Sequence, residues 1–179
     1  MKKVILAVIS LIALSGRPIY AIAEDNSRLG YVSLSAYADA NFSDNVKSFS
    51  SDSGGGLSVM FHKWGDYRGK QVVFYDFGID YSHFNGKMSN DITPKDSFSL
   101  NNFIANARIA LAPVAYFEGG YGLSVLDEDD VTVGGCWKWG FGANFNLAKN
   151  LYMEIEISRW DGPGPVGFWS PSLGMAYHF

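Results

Sequence analysis

Few side chains in this sequence are placed to do chemistry. A serine becomes a nucleophile only when a neighbouring base takes its proton, so His83 and Ser99 are the first pair to weigh. No carboxylate accompanies them to orient the imidazole, and the pair reads as interfacial polar residues among aromatics. His62 and His178 stand far apart in sequence, and Cys136 is the single thiol, a poor basis for a metal site. Asp127-Glu128-Asp129-Asp130 offers hard oxygen ligands to a divalent cation, but a run of acids between apolar segments reads first as a solvated turn. No metal and no cofactor is expected. The remaining charges of interest are Asp76, Arg108, Glu118, Lys138, Glu154 and Glu156, and their meaning depends on the elements that carry them.

Those elements read as strands. From Val131 to Leu147 the odd positions are mostly apolar or aromatic (Val131, Val133, Trp137, Trp139, Phe141, Phe145), while the even positions are small or polar. Period two over such a length exceeds the 3–10 residues of ordinary strands and suits roughly ten-residue membrane strands that alternate apolar outside and polar inside. The same parity runs through Val73–Tyr81, Phe103–Leu111, Ala115–Val125 and Leu151–Ser158, each with odd positions apolar. With Leu29–Ala38, Gly56–Trp64 and Trp169–Phe179 the total is eight strands. Connections alternate in length: Asp39–Gly55, Asn85–Ser97 and Asp161–Gly167 are long, Leu126–Asp130 is medium, and Gly65–Lys70, Ala112–Val114 and Ala148–Asn150 are short. Long loops on one side, short turns on the other and an even strand number describe an all-β, closed, antiparallel up-and-down transmembrane barrel of eight strands.

The parity points all six charges inward, where an isolated charge is costly and must find a partner. A turn at Ala112–Val114 sets Leu111 opposite Ala115 and therefore Arg108 opposite Glu118. A loop at Leu126–Asp130 sets Val125 opposite Val131 and Glu118 opposite Lys138, and similar pairing in the preceding hairpin brings Asp76 near Arg108. The expectation is a lumen ion-pair network of Asp76, Arg108, Glu118 and Lys138, with Glu154 and Glu156 beside it. Inward glycines such as Gly120, Gly122, Gly140 and Gly142 fit a lumen packed with side chains.

Composition narrows the setting. A net charge of −4 excludes the basic face that nucleic acid requires. One cysteine excludes an intramolecular disulfide framework. Residues 1–23 have a basic start, an apolar run from Val4 to Leu14, and the small-residue pattern Ala21-Ile22-Ala23, the layout of a cleaved secretory signal peptide. Residues 24–179 then form one barrel domain.

The chain ends Ser172-Leu-Gly174-Met-Ala-Tyr177-His-Phe179. This resembles the C-terminal assembly signal of bacterial outer-membrane barrels: polar, x, Gly, two free positions, aromatic, x, aromatic. The overall plan resembles the small OmpA/OmpX-type barrels and, equally in plan, the eight-stranded lipid A deacylases. The resemblance implies a Gram-negative outer membrane, periplasmic termini, a last strand read by the barrel-assembly machinery, contact with membrane lipid and lipopolysaccharide, and a monomer. The deacylases carry a His-x-Ser pair in a late strand, and here the matching positions hold Glu156 and Ser158, so the base is missing. The reading is a non-catalytic barrel with a structural or surface-interaction role through its outer loops. A lipid A-modifying hydrolase and a narrow channel are the alternatives.

Overall fold

In the computed structural model, residues 29–37, 49–67, 70–90, 93–111, 114–127, 130–163 and 167–179 are described. The signal-peptide segment expected at 1–23 lies outside them. Eight strands follow one another: β1 (Gly30–Tyr37), β2 (Phe49–Tyr67), β3 (Lys70–Asn90), β4 (Thr93–Ala110), β5 (Ala115–Asp127), β6 (Val131–Ala148), β7 (Leu151–Asp161) and β8 (Gly167–His178). Each pairs antiparallel with its sequence neighbours, and β1 pairs with β8 to close the barrel. Beyond the ladder, the closing seam is fastened by Leu29 N donating to Phe179 O (2.8 Å) and Phe179 N donating to Gly30 O (3.0 Å).

The stagger of the wall follows from the register. A row of paired residues leaves β8 at His178 and passes through Tyr31, Met60, Gly78, Asn106, Gly120, Lys138 and Trp160. It returns to β8 at Phe168, ten residues from its start. Ten residues of shear over eight strands give a tilt of about 40° and a backbone radius of about 8 Å. Side chains fill an interior of that size.

Parity does the sorting that the sequence implies. Ile79 is 64% exposed and Trp137 is 60% exposed, whereas their inward neighbours Asp80 and Lys138 are 3% and 4% exposed. A wall that is apolar outside and charged inside is stable only where the outside is not water. Aromatic side chains collect near both rims of this wall. Phe61, Tyr75, Phe77, Tyr177 and Phe179 lie toward the end that holds the termini, and Tyr81, Phe103, Trp137, Trp139 and Trp169 toward the other. These are the girdles expected at two membrane interfaces. The refolded protein is therefore expected to give a β-type far-UV spectrum and to migrate anomalously in gels unless boiled. A helical spectrum would sink the architecture.

Three expectations need correction. Asn85–Ser97 is not a long loop, because β3 and β4 stay paired out to Asn90 opposite Thr93. Likewise β2 begins at Phe49, inside the stretch read as the first loop. The Ser, Gly, Asp and Asn content of both stretches suggests turns, yet a neighbouring strand already in register supplies the hydrogen bonds that extend the ladder. The β5–β6 hairpin is also tighter than expected. Asp127 pairs with Val131, so Val125 faces Val133 rather than Val131, and the register shifts by two residues. A shift of two preserves parity, which is why every lumen residue still points inward.

Candidate functional site

The lumen is built in three storeys. At the end near the termini, Tyr31, Met60, Tyr152 and Ala176 form a small buried cluster. Toward the opposite end, Tyr37, Phe84, Phe98, Leu100, Leu126, Trp160 and Phe168 pack into a plug, with the Phe84 ring 5.2 Å from Trp160 and 5.0 Å from Phe168. Arg108, Lys138 and the carboxylates they pair with lie between these two apolar layers.

Arg108 and Lys138 organise the middle storey. The Arg108 guanidinium donates to Glu154 Oε1 (2.6 Å) and to Glu118 Oε2 from both Nε (3.3 Å) and Nη2 (3.1 Å). Lys138 Nζ pairs with Glu118 Oε1, with Asp80 Oδ2 (3.2 Å) and with Glu156 Oε1 (3.2 Å). Arg108 also lies 3.9 Å from Glu156. Two cations thus serve four carboxylates, all at least 90% buried, and neutral donors complete the set. Tyr116 Oη donates to Glu156 Oε2 (3.1 Å), and Asn106 Nδ2 donates to Asp80 Oδ2 (2.7 Å). The Tyr116 ring lies 3.8 Å from Arg108 Cζ, a cation–π contact. Gly142 makes this arrangement feasible, since a Cβ there would overlap the Tyr116 ring.

The structure therefore brings Arg108, Glu118, Lys138, Glu154 and Glu156 together. Asp76 stands opposite Arg108 in the ladder but turns to His62, whose Nδ1 is 2.7 Å from its Oδ1. Glu118 faces Gly140, not Lys138, in the ladder, and Lys138 reaches it from beside Gly120. Reasoning along adjacent strands missed Asp80, because the partner that completes its pair comes from β6 across the lumen. Its inward parity was the available signal. His62 and His178, far apart in sequence, meet with Nε2 and Nδ1 3.3 Å apart, and His178 stacks on Tyr31 at 5.0 Å. Cys136 is buried inside, as its parity implies. No cluster of metal-ligating residues occurs among the described residues.

Of the hydrolase candidates, Ser158 is fully buried in the lumen, accepting from Trp160 Nε1 (3.0 Å) and donating toward Ser170 O (3.5 Å). Lipid outside the wall has no access to it. His83 faces outward and its Nδ1 lies 2.9 Å from Asn101 Oδ1, which also accepts from Tyr81 Oη (2.9 Å). Ser99 stands two rungs further on, opposite Asn85. In the terminal motif, Tyr177 and Phe179 face outward while Gly174 is buried against β1, where a Cβ would crowd Ser35.

A closed antiparallel barrel of eight strands with a packed, charged interior and an apolar exterior is the fold of the small outer-membrane barrels. Among solved structures, the chain is similar to the Neisserial surface protein NspA, with a TM-score of 0.60 and 17% identity over 84% of this chain and 97% of that one. It is also similar to the N-terminal barrel domain of OprF from Pseudomonas aeruginosa, with a TM-score of 0.44 and 14% identity over 85% of this chain and 99% of that one. Ail of Yersinia pestis in a phospholipid nanodisc matches with a TM-score of 0.48 and 12% identity over 84% and 99% of the two chains. No family model and no curated sequence matches. At 17% identity, the likeness to NspA speaks for the fold alone.

Proposed function

We propose that the protein is a non-catalytic barrel of the bacterial outer membrane, monomeric, with both termini on the periplasmic side. Its role is structural, or one of surface contact made by the outer ends of its hairpins. The observation that carries this reading is the filled lumen: among the described residues a salt-bridge layer spans the interior beneath an aromatic plug, an arrangement that fits a sealed barrel better than a conducting one. Work is then left to the two outer surfaces, the lipid-facing wall and the exposed ends. The extended pairing of β2, β3 and β4 favours the ends, because it carries the sheet past Gly54, the last described partner of β1. The partners implied are membrane lipid, lipopolysaccharide and the assembly machinery.

Two measurements test the proposal together. Refolded protein in planar bilayers is expected to give no steady single-channel current, and lipid A from cells with and without the protein is expected to have the same mass distribution. A discrete conductance would replace this reading with the narrow channel. A mass loss equal to one acyl chain would replace it with the hydrolase.

A further inference from the structure

The outer wall is not uniformly convex. A shallow, open groove of about 600 Å³ crosses β6, β7, β8, β1 and β2. Its lower course follows one rung, Met153, Met175 and Leu34, flanked by Leu173. It then rises to Ala36 and Gly55, whose small size forms the floor between taller neighbours. The path from Met153 to Gly55 is roughly 15 Å, given three strand spacings and two residues of rise.

The groove leads to a polar cluster. Gly55 is paired with His83, and His83 with Asn101, so the upper end of the groove abuts the outward-facing Tyr81–Asn101–His83 set. With Asn101 Oδ1 accepting from both Tyr81 Oη and His83 Nδ1, a neutral His83 ring carries its proton on Nδ1 and offers Nε2 as an acceptor. The Asn101 amide nitrogen supplies donors. A hydrogen-bonded acceptor and donor at the head of an apolar groove, on a wall that meets lipid, match an amphiphile with one chain and a carbonyl linkage.

We propose that the groove and this cluster form a specific site for one membrane lipid: an acyl chain lies along Met153, Met175, Leu34 and Ala36, its carbonyl accepts from Asn101, and a headgroup N–H or O–H donates to His83. The site rests on the membrane reading above and adds a place and a chemistry to it. Gly55 is the natural probe, because a Cβ there would meet only the Ser35 carbonyl at 3.7 Å. A Gly55→Leu variant is therefore expected to fold while raising the floor of the groove.

The test uses wild type, Gly55→Leu and His83→Leu refolded into phosphatidylcholine vesicles that contain a trace of phosphatidylethanolamine with a diazirine-bearing acyl chain. After photolysis, peptides carrying Leu34, Met153 and Met175 are expected to hold about fivefold more label than those carrying Ile109 and Leu123, roughly a 1 kcal/mol preference. Gly55→Leu should bring them to the level of the rest of the wall. Replacing the ethanolamine probe by its choline counterpart, which lacks headgroup donors, should weaken labelling in wild type but not in His83→Leu. Even labelling around the wild-type wall, or labelling unchanged by Gly55→Leu, overturns the site and leaves the membrane reading standing. No acyl labelling anywhere overturns the membrane reading itself.

Discussion

Arg108→Met is expected to lower the stability of the refolded barrel by about 3–5 kcal/mol, the usual cost of removing one partner from a buried ion pair. Arg108 is 6% exposed and holds Glu118 and Glu154 directly. Without it, Lys138 is the remaining cation for Asp80, Glu118 and Glu156, and Glu154 loses its 2.6 Å ion pair. The loss is electrostatic, so neutralising the stranded acids should reverse much of it. A combined Arg108→Met, Glu118→Gln, Glu154→Gln variant should unfold at a higher urea concentration than Arg108→Met alone, as measured by loss of heat-modifiable mobility in vesicles. If both variants share one midpoint, the acids are not coupled through Arg108 and the packed ionic layer is misread.

Phe179→Ser acts at a different stage. The Phe179 side chain is 43% exposed on the outer wall, and its backbone, not its ring, fastens the seam to Leu29 and Gly30. Losing the ring should therefore cost the refolded barrel only about 1 kcal/mol, a fraction of full burial of a phenylalanine. In cells the expected effect is a several-fold fall in the amount reaching the outer membrane, because the terminal aromatic belongs to the motif that resembles the assembly signal. Unchanged membrane levels would remove that motif's role here.

Strand identity and facing were legible in the sequence because lipid outside and packed charge inside impose period two at most rungs. Trp137-Lys138-Trp139 and Phe77-Gly78-Ile79-Asp80 state their own orientation. Strand ends were not legible. Ser50 to Gly55, Asn85 to Asn90 and Thr93 to Ser97 carry turn-like residues, and only pairing between neighbouring strands, invisible in a single segment, keeps them extended. The site was partly legible for a related reason. Arg108 opposite Glu118 follows from a short turn, but Lys138 meets Asp80, and Arg108 meets Glu154, because the interior is narrow enough for opposite walls to touch. The contact of His62 with His178 arises only when β8 closes beside β1.

The ten-residue stagger also makes the calibre of this barrel a discrete quantity. Each residue reverses face, so a stagger can change only by even numbers if the apolar side is to stay outside. The neighbouring solutions for eight strands are eight and twelve, each altering the radius by about 0.7 Å. At eight, the space that admits Arg108, Tyr116 and Lys138 side by side is lost. At twelve, a gap opens that only water or longer side chains would fill. Insertions or deletions in these strands cannot tune the interior gradually. They move the protein to another bore, with a different set of residues required to fill it.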